Sequence, residues 1–203
     1  MRKVVAGLFM TLDGVVESPG TWQEHFDEEM GEAMMEQLTS QDAVLLGRVT
    51  YQEWAPYWPT ATDEPFASFI NSTPKYVFSS TLDSVEAWKN STLIKGDIAQ
   101  AIAQLKQLPG KNIGTAGSPG LVSSLLEQDL LDELILLVHP VVAGNGKRLF
   151  KDGGSLKRLN LLSSKTTRTG TVILTYQPRK PYGPSKEETE EREGLPPGWI
   201  SCE

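Results

Sequence analysis

Gly114-Thr115-Ala116-Gly117-Ser118-Pro119-Gly120-Leu121-Val122 decides how this chain is read. Lys111 to Thr115 is short and strand-like. Ser118 suits a helix cap, and Pro119 suits the first helical turn. From Leu121 to Leu126 apolar residues run on toward Leu130 and Leu131. A glycine-rich turn from strand into helix brings bare backbone N–H groups to the positive end of a helix, which suits a phosphate. The same glycines also serve a plain tight turn with close helix–sheet packing, and the turn alone does not separate the two readings.

Outward from this turn, strands and helices alternate. Lys3 to Met10 reads as a buried first strand that leaves through Thr11-Leu12-Asp13-Gly14. Trp22 to Leu38 is expected to be helical, because Phe26, Met30, Met34 and Leu38 recur at four-residue steps with acids between them. Ala43-Val44-Leu45-Leu46 is a second strand, and Gly47-Arg48-Val49-Thr50-Tyr51 turns into a short helix that stops near Pro56. Lys75 to Phe78 is a third strand, followed by Ser79-Ser80-Thr81 and a short strand near Leu93-Ile94. Ile98, Ile102, Leu105 and Leu108 mark a helix ended by Pro109-Gly110. Glu133 to Val138 is almost wholly apolar, as strands buried on both faces are. Leu159 to Arg168 and Thr171 to Gln177 form a closing antiparallel hairpin. The expected class is α/β, a mixed and mostly parallel central sheet flanked by helices with a C-terminal antiparallel hairpin. Residues 1–177 form the domain. Residues 178–203 form a Pro/Glu-rich tail, whose acidic run is a short solvated helix or disorder and whose Trp199-Ile200 is a candidate docking element.

The chain has 203 residues, enough for one domain with a sizeable core. Its net charge of -7 and lack of a basic block argue against nucleic acid as a partner. With only Cys202, His25 and His139, neither a disulfide framework nor a multi-histidine or cysteine-rich metal site is expected. No stretch approaches the ~20 apolar residues of a membrane span. The N-terminus has too short an apolar run for a signal peptide. A cytoplasmic protein with no membrane partner is expected. Gly144-Asn145-Gly146-Lys147 is not a P-loop, since Val141 and Arg148 stand where Gly and Ser or Thr are needed, and Leu149 breaks the dinucleotide fingerprint. The paired cysteines of a deaminase zinc site and the elbow of a serine hydrolase are also missing.

Six segments in order resemble one family: Leu12-Asp13-Gly14, Leu45 to Tyr51, Lys75 to Leu82, the Gly114–Val122 turn, Leu130 to Leu134, and Pro140 to Phe150. Together they resemble the dihydrofolate-reductase-like family that includes the reductase domain of bacterial riboflavin biosynthesis, over roughly residues 1–177. The resemblance implies a homodimer with NADPH lying across the strand ends. It implies that Gly47, Arg48 and Thr50 lie at the pyrophosphate, and Ser79, Ser80 and Thr81 near the adenosine ribose and its 2'-phosphate. It also implies that Ala116, Gly117, Ser118, Pro119, Gly120 and Leu121 form the second wall of the phosphate site. Asp13 would sit near the nicotinamide as the catalytic candidate. Two positions depart from the family. Ser80 replaces a frequent arginine, which leaves NADH beside NADPH as a cofactor. Ala116 replaces a frequent glycine and would be strained at positive φ.

On the substrate side, Asp27, Tyr51 and Trp54 are candidates for the cleft. In dihydrofolate reductases a first-helix carboxylate holds the pterin, and here Gln23 to Glu29 offers several acids. Tyr51, Trp54, Tyr57 and Trp58 read as core or dimer interface, with the floor of a pocket for a flat ring as the alternative. Asp13 has the second reading of a turn-closing residue, and His139 that of a satisfied structural histidine. The expected function is an NADPH-dependent reductase of a small substrate of pterin- or pyrimidine-like type. A non-catalytic dimeric nucleotide- or ligand-binding module is the alternative, and a purely structural dimer stands third.

Overall fold

The computed structural model describes residues 1–150 and 152–179. The acidic run and Trp199-Ile200 of the expected tail lie outside the described residues. The elements are β1 (Val4–Thr11), α1 (Glu28–Thr39), β2 (Gln41–Gly47), α2 (Arg48–Trp54), α3 (Phe66–Ser72), β3 (Lys75–Phe78), β4 (Ser91–Ile94), α4 (Ile98–Gln107), β5 (Asn112–Thr115), α5 (Pro119–Glu127), β6 (Glu133–His139), β7 (Leu159–Thr166) and β8 (Val172–Pro178).

The strands form one eight-stranded sheet in the order β4-β3-β2-β5-β1-β6-β8-β7. The six strands from β4 to β6 are parallel. β8 runs antiparallel to β6, and β7 antiparallel to β8. Strand alternation sends side chains to two apolar layers. On one face Val4, Ala6, Leu8, Ala43, Leu45, Leu134 and Leu136 meet Ile102 and Leu105 of α4 and Val122 and Leu125 of α5. On the other, Val44, Leu46 and Val77 meet Tyr51 of α2 and Ile70 of α3, and Leu137 meets Met30 of α1. Leftward and rightward crossovers thus lie on opposite faces, as right-handed connections require. Each fully buried leucine here contributes about 2 kcal/mol. The parallel strands deliver the ends of β1, β2, β3, β5 and β6 to one edge of the sheet, the place where such folds build sites.

Three local readings are corrected by the structure. The first helix begins at Glu28, not Trp22. Asp27 Oδ1 accepts the Met30 N–H at 3.0 Å and caps it, with Glu28 and Glu29 favourably placed in its first turn. Upstream, the Trp22 indole is drawn away to the Glu17 carbonyl at 2.9 Å. Second, α3 was not anticipated, because Pro56, Pro59 and Pro65 make its surroundings read as loop. Third, β7 stops at Thr166, and a turn closed by the Gly170 N–H on the Thr167 carbonyl follows.

Lys75 is wholly buried under α3. Its Nζ donates to the carbonyls of Ile70 at 2.8 Å and Thr73 at 3.0 Å and stands 4.7 Å from the Trp88 ring centre. The ammonium therefore satisfies carbonyls at the end of the helix, the favourable position for a cation. Burial pushes its pKa down to about 8.

Candidate active site

Ser118 joins the two glycine-bearing turns. The Gly47 N–H donates to Ser118 Oγ at 2.9 Å, and the Ser118 N–H donates to Thr50 Oγ1 at 3.1 Å. Ser118 Oγ in turn donates to the Ala116 carbonyl at 3.2 Å. Ser118 sits at the head of α5 as expected, but its hydroxyl makes no bond to its own helix. It is spent on the neighbouring turn. Positive φ falls on Gly117 (53°) and Ser118 (56°), not on Ala116, so the strain expected for alanine does not arise. A side chain at Gly117 would press on Thr50 Cγ2 and Trp54, both 3.4 Å from the place of its Cβ.

Two openings flank this junction. A cavity of about 420 Å³ lies over the α1–α3 face of the sheet. Phe9, Met34, Trp54, Trp58, Phe66 and Phe69 wall it, and Thr50, Ala116, Gly117, Ser118 and Pro119 also line it. A shallower groove of about 530 Å³ is bordered by Arg48, Ser79, Ser80 and Thr81. Ser79 Oγ shapes this loop by accepting the N–H groups of Thr81 at 3.1 Å and Leu82 at 3.0 Å. The exposed Arg48 guanidinium donates to Gln52 Oε1 at 2.7 Å, one turn along its helix. Gly47 lies at the joint, and Gly120 has open space where a side chain would stand. Leu121 is buried in the core beneath.

The acids occupy other places. Asp13 is tied into the loop that follows β6. Its Oδ1 accepts the Thr11 hydroxyl at 2.6 Å and the Ala143 N–H at 3.0 Å, and its Oδ2 accepts the Gly144 N–H at 2.9 Å. Arg148 Nη2 stands 3.4 Å away, and its Nε donates to the Asp13 carbonyl at 2.8 Å. The Thr11 hydroxyl first, then the Ala143 and Gly144 N–H groups, hold the carboxyl well below the usual carboxylate range, against the opposing effect of burial. Such a group is ionised at neutral pH and has no proton to donate.

Asp27, besides capping α1, accepts the Thr169 hydroxyl at 2.6 Å. Burial would raise its pKa, but the Thr169 hydroxyl, the Met30 N–H and the Thr167 hydroxyl outweigh it and hold the pKa far below the ordinary value. Asp27 does not line the cavity. The cavity-lining residues of α1 are Ala33, Met34, Gln37 and Leu38, with no carboxylate among them. Tyr51 is also elsewhere: it is buried in the core against Trp88, 6.4 Å between ring centres. Of the three cleft candidates only Trp54 lines the cavity.

His139 lies between Phe9 and Trp22, at 5.7 and 5.4 Å between ring centres. Its Nδ1 is 3.4 Å from the Thr171 hydroxyl, and its buried Nε2 has no partner. The expected full satisfaction of this ring is not observed. Burial lowers its pKa, partly countered by the nearby Asp27 charge.

Sequence reasoning missed Phe66 and Phe69, whose three-residue spacing after Pro65 was the available signal. It also missed Gln37 and Gln41. Their side-chain amides fill the space above Gly7 and Gly114, where any Cβ would collide with them. Two glycines on adjacent central strands were the trace of that arrangement.

The family model described as RibD C-terminal domain matches residues 2–173. The uncharacterized protein YyaP of Bacillus subtilis (strain 168) is 30% identical over 181 residues, spanning 86% of this chain and 94% of its own. Among solved structures, a Shewanella sp. PV-4 protein named for riboflavin biosynthesis superposes with a TM-score of 0.71 at 21% identity, over 88% of this chain and 99% of that one. A dihydrofolate reductase from Enterococcus faecalis complexed with NADP(H) gives a TM-score of 0.59 at 12% identity, over 88% and 97%. The two structures share the fold with this chain.

Proposed function

The chain belongs to the RibD C-terminal domain family, and from that premise we propose that it is an NADPH-dependent reductase that delivers a hydride to a small organic substrate in the apolar cavity. One observation carries the reading. The turns stitched by Ser118 separate a groove bearing a cation and hydroxyls from a cavity walled by aromatic rings, and residues of the same junction reach both. That is the division a nicotinamide dinucleotide and its substrate need.

The residues fit the cofactor. Arg48, Ser79, Ser80 and Thr81 would hold the phosphates and the ribose end. Thr50, Ala116, Gly117, Ser118 and Pro119 would frame the nicotinamide end, with Gly47, Gly120 and Leu121 shaping the turns. A missing side chain at Gly117 leaves Thr50 and Trp54 in place, and open space at Gly120 permits close approach. Ser80 supplies no charge toward a 2'-phosphate, but Arg48 borders the same groove and supplies one. When bound, the reduced nicotinamide supplies the hydride. The protein orients it, and the aromatic walls keep water from the reacting face.

Asp13 is proposed as a positioning residue that fixes the 142–149 loop, in place of the catalytic role expected for it. We further propose a homodimer in the cytoplasm, with no nucleic-acid or membrane partner. No helix among the described residues is long and apolar enough to cross a membrane. Strand β7 is one of the two edge strands of the sheet, and its Leu161 and Leu162 are about half exposed.

A non-catalytic nucleotide-binding module is favoured by one fact: Asp13 and Asp27 are both fully engaged, and neither offers a proton. Turnover separates the two readings. Incubation with NADPH and a panel of cyclic amides, imines and ketones, followed by mass spectrometry, yields a product two hydrogens heavier if the enzyme reading holds. Tight cofactor binding with no product from any of them supports the module.

A further inference from the structure

Helix α2 turns one face to the cavity. Thr50, Glu53 and Trp54, spaced as neighbours on a helix surface, all line it. Among the described residues of that lining, Glu53 alone carries a formal charge. It is exposed, so a ligand entering the mouth meets it without displacing protein. Glu53 forms no hydrogen bond or ion pair among the described residues. The charge of Lys147 reaches it, but that ammonium is held by Glu17 Oε1 at 2.7 Å and does not line the cavity. Glu17 itself lies between Val16 and Pro19, which do line it. Two carboxylates thus share one ammonium at the mouth, and the trio carries a net negative charge. Behind Glu53 stand aromatic rings. Trp54 meets Trp58 and Phe66 edge to face at 5.6 and 5.8 Å between ring centres, and Trp58 meets Phe66 at 4.7 Å. Ring faces attract cations, and a carboxylate beside them supplies the counter-charge. An anion would lose its hydration here and meet repulsion instead.

We propose that the cavity selects a flat aromatic compound bearing a protonated amine, and that Glu53 is the specificity residue that reads the positive charge. This rests on the reading of the cavity as the substrate site. The aromatic walls hold the ring, and Glu53 at the mouth separates cation from neutral molecule and neutral molecule from anion. Because Glu53 is exposed, its contribution is modest and is screened by salt.

The test uses three probes of one ring system on the full-length protein at neutral pH: 2-naphthylmethylamine, 2-naphthylmethanol and 2-naphthoate. Binding is measured by calorimetry at low and at high salt. The expected order at low salt is the ammonium tightest, the alcohol about fivefold weaker and the carboxylate weaker still. The gap between ammonium and alcohol narrows at high salt. In Glu53→Gln, with folding checked by circular dichroism, that gap falls below about twofold while the affinity for the alcohol holds. Equal affinity for ammonium and alcohol in the wild type, tightest binding of the carboxylate, a gap unchanged in Glu53→Gln, or no binding of the ammonium at millimolar concentration overturns the proposal. The wild-type comparison stands whatever the variant does. A titration with NADPH is read separately. Its failure removes the reductase reading, while the probe order, measured without nucleotide, still decides the role of Glu53.

Discussion

Arg48 is the residue on which the cofactor reading leans hardest. It is exposed, and its partner Gln52 is neutral, so its charge is available to a ligand. Arg48→Ala is expected to weaken NADPH binding by about 1.5–3 kcal/mol, the worth of a charge-assisted bond, which is about 10- to 150-fold in Kd by calorimetry. Asp13 makes a different prediction. Its pKa is held below the ordinary carboxylate value of about 3.9, so the folded state binds fewer protons than the unfolded one in acid. Stability present above about pH 4 is therefore lost as the pH falls below it. Asp13→Asn should blunt that loss and speed amide exchange across residues 142–149, with the central strands unchanged. The sequence offered Asp13, Asp27 and Tyr51 as chemistry because residue type and position are visible there. What places them outside the cavity lining is their partners, Ala143, Gly144, Thr169 and Trp88, which lie far along the chain. Arg48, Ser79, Ser80 and Thr81 border one groove, and that shared placement was legible because they follow closely on the ends of two neighbouring strands.

At the scale of elements, the strands read well and the helix starts less so. An apolar run such as Glu133 to Val138 admits few alternatives. A helix start depends on which side chain wins a cap, and Asp27 won it through Met30 on one side and Thr169 on the other. Helix α3 went unread among prolines, yet it contributes Phe66 and Phe69 to the cavity and Ile70 to the core. Its end depends on Lys75. Replacing that side chain by methionine leaves the carbonyls of Ile70 and Thr73 unsatisfied, and we expect a loss of about 1–3 kcal/mol by chemical denaturation. The pH dependence has a definite sign. Because burial lowers the folded pKa to about 8 while the unfolded value is ordinary, the unfolded chain binds more protons between them. The contribution of Lys75 to stability therefore rises with pH from about 8 to about 10.4, and Lys75→Met removes that rise.

The whole molecule is a sheet built outward from β1, with helices sorted by crossover direction and every parallel strand ending at one edge. That architecture was legible because alternation of strand and helix, with right-handed connections, leaves few topologies. The interior of the cavity was not, since Gln37 and Gln41 reach it only once β1, β2 and β5 lie side by side. Sedimentation should give a dimer, and a paired Leu161→Lys and Leu162→Lys variant should run as a folded monomer if β7 is the shared edge. The central claim is that one junction serves a dinucleotide on one side and a substrate on the other. Calorimetric titration of the purified protein with NADPH and with NADH tests it most directly. The account predicts one-to-one binding of NADPH per chain, tighter than NADH, with quenching of tryptophan fluorescence as the nicotinamide end meets Trp54. Binding of neither nucleotide would contradict it and leave a fold of this family without its cofactor.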